Sequence, residues 1–156
     1  MKKSILILLL LSISFQTFAL YGRVVGVHDG DSFTLLDDNN VEHKIRLHGI
    51  DCPELKQAFG KAAKYFVSNL IFNQYVNVET SKKDRYGREI GTVIMADGKI
   101  LNEEILKSGY AWHYLEYDTK PSWTKMEQNA KTAKVGLWAD SNPIEPWFWR
   151  KMKKQK

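Results

Sequence analysis

Cysteine is almost missing from this sequence: Cys52 stands alone among 156 residues. No intramolecular disulfide can form, and no cysteine cluster can hold zinc or an iron–sulfur centre. The four histidines, His28, His43, His48 and His113, lack the spacing of a zinc site. No apolar run approaches the ~20 residues of a comfortable membrane span; the unbroken stretch Ile5 to Leu11 has seven. Internal repeats and low-complexity linkers are also absent. Apolar content of 44% and charged content of 26% are ordinary for a globular fold, which excludes bulk disorder. The length suits one domain with a usable core.

The beginning of the chain is set apart. Lys2 and Lys3 precede the seven-residue apolar run, which Ile13 and Phe15 extend, and Thr17-Phe18-Ala19 offers small residues at the positions a signal peptidase reads. This is the layout of a secretory signal peptide over residues 1–19, with an uncleaved N-terminal anchor as the alternative. No cysteine lies near residue 19 to carry a lipid. The expected mature chain runs from Leu20 to Lys156, 137 residues. A single cysteine suits an oxidising compartment, so a secreted or periplasmic destination is expected.

Net charge is +5, but it is unevenly placed. Two lysines leave with the leader, and Arg150, Lys151, Lys153, Lys154 and Lys156 crowd the last seven residues. The stretch from Leu20 to Trp149 then holds 16 basic against 18 acidic residues, a net of −2. A slightly acidic body with a basic end is weak grounds for a polyanion partner, since only a clustered patch makes a useful field. Residues 141–156 read as an aromatic and basic tail, expected to be a frayed, solvated end, with salt-dependent phosphate attraction as its next role. Trp147, Phe148 and Trp149 either fold back onto the domain or touch a membrane surface.

Period-two alternation predicts strands at Arg23–Val27, Ser32–Leu36, Val41–Leu47, Tyr75–Thr80 and Ile90–Met95. Asp37-Asp38-Asn39-Asn40 is a turn by composition and makes a hairpin of the second and third. Phe59, Ala62 or Ala63, Phe66 and Leu70 recur at helical spacing, predicting a helix over Gln57–Asn69. Leu101–Lys107 is a short helix before Gly109, and a third lies between Pro121 and Gly136. Three strands, a helix, two strands and two helices suit an α+β chain dominated by β, a five-stranded Greek-key barrel of the oligonucleotide-binding (OB) type. A doubly wound sheet needs alternation that this chain lacks. Trp112, Trp123 and Trp138 are read as packing residues.

The chemistry-bearing residues sit where the strands end. Asp31 follows Asp29-Gly30 after the first strand, and Asp51 and Glu54 flank Cys52-Pro53 after the third. Two carboxylates from separate loops, with a backbone carbonyl held by Pro53, are what a hard cation takes. Alone, each acid is explained as a turn or helix-start residue. Arg46 and Arg88 shift the balance, because a planar guanidinium matches phosphate oxygens bidentately. Metal ligands, a nearby glutamate and two arginines are the parts of metal-assisted phosphodiester hydrolysis. Taken singly, either arginine is equally explained by a surface ion pair.

His28-Asp29-Gly30-Asp31-Ser32, then Ile45-Arg46-Leu47-His48-Gly49-Ile50-Asp51-Cys52-Pro53-Glu54, then Asp84-Arg85-Tyr86-Gly87-Arg88, resemble the three signature stretches of the staphylococcal nuclease (thermonuclease) family. Met95-Ala96-Asp97-Gly98-Lys99, Asn102 and Glu103, Gly109-Tyr110-Ala111 and Gly136-Leu137-Trp138 continue the similarity, which covers Gly22 to Trp138. The resemblance implies a five-stranded OB barrel with three helices, placed at residues 20–140. It implies a calcium-dependent endonuclease acting on DNA and RNA and leaving 3′-phosphates; single strands are expected to be preferred, because their exposed bases can stack on Tyr86 or Tyr117. Asp31, Asp51 and the Cys52 carbonyl would bind Ca2+, Arg46 and Arg88 would contact the scissile phosphate, and Glu54 would orient or deprotonate water. Tyr86, Tyr117 and Arg85 would contact substrate. The family also implies a monomer.

Three departures from the family pattern stand out. Cys52 replaces a threonine of the best-known member, which keeps the carbonyl and loses the hydroxyl. Leu115 replaces a tyrosine, for which Tyr114 is a candidate substitute. The loop between Glu54 and the following helix is short. The alternative function is a barrel that binds nucleic acid without cutting it; the presence of all five side chains favours the enzyme.

Overall fold

The computed structural model of the protein describes residues 18–155. Most of the expected leader, residues 1–17, lies outside the described residues. Strand β1 spans Phe18–Val27, β2 Ser32–Asp37 and β3 Glu42–Leu47; β5 spans Tyr75–Lys83 and β6 Glu89–Ile94, separated from the first three by a two-residue strand β4 (Ile50–Asp51) and helix α1 (Gly60–Ile71). The five longer strands close into a barrel in the order β1-β2-β3-β6-β5. Strand β1 serves both sides, pairing antiparallel with β5 through Phe18–Arg23 and with β2 through Gly22–Val27. Closure comes from a parallel ladder of β3 and β6, with Arg46 opposite Ile90. This is the expected OB-type architecture.

The alternation that predicts the strands also fills the barrel. Val24, Phe33, Leu35, Ile45, Val78 and Val93 are fully buried, each facing inward at a period-two position. The β2–β3 hairpin turns because the Asp37 carboxylate accepts the backbone N–H groups of Asn39 and Val41, and Asn40 takes a positive φ of 60°.

Four differences from the expected elements have local causes. Helix α1 starts at Gly60 and not at Gln57, because Phe59 holds a left-handed φ of 63°, which a right-handed helix cannot pass through. Residues 54–60 are instead consecutive turns, closed by Gln57 N–H to the Glu54 carbonyl at 2.8 Å and Gly60 N–H to the Gln57 carbonyl at 3.1 Å. A Cβ on Gly60 would collide with the Glu54 carbonyl, so only glycine lets this loop fold down on the helix. Second, after helix α2 (Leu101–Lys107), a two-residue strand β7 (Trp112–His113) pairs antiparallel with β4 in a separate small sheet. Third, helix α3 (Pro121–Ala133) ends on Lys134 in the left-handed region, and Gly136 enters a 3-10 turn, Gly136–Ala139.

The fourth is the tail. Residues expected to be frayed and solvated form a fourth helix, α4 (Pro146–Lys154), with Pro146 at its first turn, where its missing N–H costs nothing. Trp147 stacks on Tyr114 at 5.0 Å and 7° and meets Trp112 edge-on at 5.9 Å. Trp112 in turn meets Trp138 edge-on at 4.4 Å, so an aromatic ladder joins the helix to β7 and to the 3-10 turn. The Gln57 amide also donates to the Ile144 carbonyl just ahead of α4. As expected, Trp123 and Trp138 are packing residues, buried on α3 and in the 3-10 turn.

Asn102, at the start of α2, is fully buried and links three parts of the fold. Its side-chain oxygen accepts the Val93 N–H of β6 at 3.1 Å and its amide donates to the His48 carbonyl at 2.9 Å. Asn102→Ala strands two buried backbone groups, and each unsatisfied group costs roughly 1–3 kcal/mol. Urea unfolding of Asn102→Ala is expected to show a loss of about 2–6 kcal/mol; a loss near zero would mean that these groups find other partners.

Candidate active site

Two loops at one rim of the barrel carry the acids, and their closeness follows from small residues. Gly30 lies so near the second loop that a Cβ there would stand 2.7 Å from the Cys52 Cβ and 2.8 Å from the Ala63 Cβ of α1. The Asp29 carboxylate shapes the first loop by accepting the Asp31 N–H at 3.0 Å and the Ser32 hydroxyl at 2.8 Å. The second loop is pinned by the small sheet, in which Asp51 pairs with Trp112 and Ile50 with His113. The loops are then joined directly, because the Cys52 N–H donates to Asp31 Oδ2 at 2.6 Å.

Arg46, at the end of β3, fills the space between them. Its Nε lies 3.3 Å from Asp31 Oδ1 and its Nη2 donates to Asp51 Oδ1 at 2.9 Å. Its Nη1 donates to the carbonyls of Leu47 at 2.8 Å and Ile50 at 2.9 Å. Asp51 is 1% exposed and Asp31 6%. Buried carboxylates of this kind persist only when paired. Burial pushes the Asp31 carboxyl up to about 8; the Arg46 guanidinium pulls the other way, and the charges of Asp29 and Asp51 add to the rise. Burial opposes the Arg46 charge, but the two carboxylates outweigh it and hold the guanidinium above its ordinary value. Burial and the Asp31 charge push the Cys52 thiol far up, which makes it an inert thiol and not a nucleophile.

Asp31, Arg46, Asp51, Cys52 and Glu54 therefore come together. Arg88 does not join them: its Nε donates to Asp84 Oδ2 at 2.7 Å, and its guanidinium lies 5.6 Å from the Tyr86 ring centre. Arg85 lies 4.9 Å over the same ring, and Tyr86 is exposed. Among the described residues no hydrogen bond or ion pair links Arg88 to Asp31, Asp51 or Glu54. Tyr117 is exposed and edge-on to Tyr114 at 4.8 Å. Tyr114 itself is half-buried with Trp147 stacked on one face, whereas Tyr86 is exposed.

The site also contains a residue that the sequence reading counts only as tail charge. Arg150 of α4 donates from Nη2 to Asp51 Oδ2 at 2.8 Å and from Nη1 to Asp51 Oδ1 at 3.2 Å, a fork on one carboxylate. Its Nη1 also donates to Glu54 Oε1 at 2.8 Å. Partial burial works against the Arg150 charge, and the bonds to Asp51 and Glu54 more than restore it. The available signal was Pro146-Trp147 followed by Arg150: a helix-starting proline and an aromatic anchor with the arginine three residues on, on the same face.

The donor set facing the rim is all oxygen, as a hard cation prefers. Asp29, Asp31, Asp51 and Glu54 share it with only two guanidinium groups, so negative charge is in surplus. Among the described residues no three His, Cys, Asp or Glu side chains converge as a ready-made metal site. The set fits a cation held by two carboxylates with backbone and water completing the shell, and does not fit a side-chain cage.

Comparison with known proteins agrees with this geometry. The profile of the staphylococcal nuclease homologue family matches residues 44–140. The chain is 42% identical over 132 residues to an uncharacterised endonuclease of Haemophilus influenzae, covering 85% of this chain and 74% of that protein. It is 38% identical over 134 residues to an uncharacterised endonuclease of Escherichia coli O157:H7, covering 86% and 87%. It is 44% identical over 111 residues to a staphylococcal-like nuclease of Arabidopsis thaliana, covering 71% of this chain and 34% of that protein. The chain thus spans about a third of the plant relatives that it matches and most of the bacterial ones. On the family match, the extent of these identities and the barrel that carries them, the chain belongs to the staphylococcal nuclease homologue family.

Proposed function

We propose that the protein is a calcium-dependent endonuclease that hydrolyses phosphodiester bonds of DNA and RNA, prefers single strands and leaves 3′-phosphates. The observation that carries the reading is the Arg46 bridge between Asp31 and Asp51, with Glu54 beside it. It supports a rim where a guanidinium, buried carboxylates and a half-exposed glutamate meet.

Asp31, Asp51 and the Cys52 carbonyl would hold Ca2+, which when bound supplies Lewis-acid polarisation of a phosphate oxygen and a template for the reaction. Glu54, 39% exposed at its side chain, orients the attacking water or takes its proton. Arg46 keeps one N–H of Nη2 for a phosphate oxygen, since its other donors are engaged with Asp31, Asp51, Leu47 and Ile50. Arg88 reaches the phosphate by leaving Asp84, an exchange between acceptors of the same charge. Water attacks in line and the 5′-oxygen leaves with a proton. Exposed bases stack on Tyr86 and Tyr117, with Arg85 on the backbone; such stacking contributes about 1–3 kcal/mol per base. The chain acts as a monomer in a periplasm or outside the cell, after loss of residues 1–19; no described helix is long and apolar enough to cross a membrane.

Arg46→Ala and Arg88→Ala are each expected to lower kcat on single-stranded DNA by about 10²–10³-fold. Circular dichroism should show both variants folded; near-normal turnover by both would remove them from the reaction. Calcium dependence is read separately, by cleavage in calcium and in excess chelator. Undiminished cutting in chelator contradicts the cation, and binding without cutting in calcium supports the non-catalytic barrel instead.

Asp31 makes a third prediction, for the cation-free protein. Its folded pKa, about 8, lies above the ordinary aspartate value of 3.8. The folded state then holds a proton that the unfolded state has released. Stability from this group is full below about 4 and is lost as pH rises toward 8. Thermal melts in chelator from pH 5 to 9 should show wild type losing Tm relative to Asp31→Asn as pH rises. A constant difference across that range would show that Asp31 is ionised throughout. Calcium should raise the Tm of wild type and not of Asp31→Asn.

A further inference from the structure

The basic residues of α4 are not equivalent. Lys151 and Lys154 are exposed, and Lys153 lies 5.0 Å over the Trp149 ring. Arg150 turns inward onto Asp51 and Glu54. That direction is built in: Pro146 is buried, Trp147 is clamped between Tyr114 and Trp112, and Trp112 is the ladder partner of Asp51. One helical turn beyond Trp147, Arg150 arrives above the carboxylate that this ladder fixes.

The donor inventory separates the three arginines. Arg46 has spent nearly all of its N–H groups on the two acidic loops, and its side chain is 15% exposed. Arg88 is paired with Asp84 on the tip between β5 and β6. Arg150 is 41% exposed at its side chain and makes only exchangeable contacts, a fork on Asp51 and one bond to Glu54. A guanidinium that grips one carboxylate by two N–H groups presents the spacing that grips two phosphate oxygens. Calcium entering the rim would draw on the oxygens of Asp51 that Arg150 now holds. The arginine would then be released without leaving the site, because the aromatic ladder keeps its helix in place.

We propose that Arg150 is a further phosphate-contacting residue of the active site, carried in by the C-terminal helix, which exchanges Asp51 and Glu54 for oxygens of the substrate phosphate. This inference rests on the nuclease reading, and its test includes a measurement that does not need cleavage.

The experiment uses the full chain, Arg150→Ala, Arg150→Lys and, as a control on the same helix, Lys151→Ala. Affinity for a nuclease-resistant phosphorothioate single strand is followed by fluorescence anisotropy at fixed calcium over a potassium chloride titration. Loss of one phosphate contact should flatten the plot of log K against log salt by about 0.7. Arg150→Ala should show that flattening and a roughly 10²-fold lower kcat. Arg150→Lys, which keeps the charge and loses the fork, should keep the slope and recover part of the turnover. Lys151→Ala should cleave like wild type. Calcium affinity, by titration calorimetry, decides the competing role. If Arg150→Ala binds calcium more tightly and cleaves faster, Arg150 is an internal competitor for the cation and the proposal is overturned. An unchanged slope in the folded Arg150→Ala variant overturns it as well. Failure of wild type to cleave at all would sink the nuclease reading, while the slope comparison still decides whether Arg150 meets phosphate.

Discussion

Arg46 sits between two carboxylates that could not otherwise share a buried rim. Asp31 and Asp51 come from loops that are distant in sequence; burial, with their repulsion added, pushes the Asp31 carboxyl up to about 8 even beside Arg46, and without a shared guanidinium the loops would be driven apart. The guanidinium answers both at once, and its remaining donors take the carbonyls of Leu47 and Ile50, so the backbone of the second loop is gripped as well as its side chain. Arg46 can do this because β3 is locked from both sides, antiparallel to β2 through Ser32 and parallel to β6 through Ile90. Breaking a buried pair of this kind typically costs about 3–5 kcal/mol, since the partner charge is left behind. The barrel closure, the loop geometry and the electrostatics of the site thus meet in one side chain.

Sequence alone reached the barrel because its evidence is local. Alternation along β2, β3, β5 and β6 is strong, and Asp37 to Asn40 carries its own turn chemistry. It marked Asp31, Asp51 and Glu54, acids beside glycine and proline at strand ends, only as candidates, and the family resemblance singled them out together with Arg46 and Arg88. It missed β4 and β7 because two-residue strands carry no period, and their pairing joins residues about sixty positions apart. It placed the start of α1 three residues early because apolar spacing is blind to the sign of φ, and Phe59 stops the helix by its backbone alone.

The C-terminal helix was illegible for a different reason. Five positive charges in seven residues look like a solvated end when only charge is counted. The aromatic residues just before them are what turn that end into structure. Trp147 buries its ring against Tyr114 and Trp112, and such a contact is worth roughly 0.5–1.5 kcal/mol beyond its area. Two of these, with the bond from Gln57 to the Ile144 carbonyl, help to hold in place a nine-residue helix that would be marginal alone in water. Arg150 then adds a fork on a carboxylate with almost no solvent of its own.

The same rim explains why its charges are arranged at a cost. Asp31 and Asp51 are buried against Arg46 while Asp29 and Glu54 stand half-exposed nearby, and a stability optimum would not gather four acids at one rim. Proteins keep such costly electrostatics where function needs them. Arg150 makes the arrangement tolerable without making it neutral. It satisfies both oxygens of Asp51 yet leaves Asp31 with only a 3.3 Å contact to Arg46 and the Cys52 N–H. Of the two buried carboxylates Asp31, which Arg150 does not touch, is therefore the less compensated, and burial beside Asp29 and Asp51 pushes its carboxyl up for that reason.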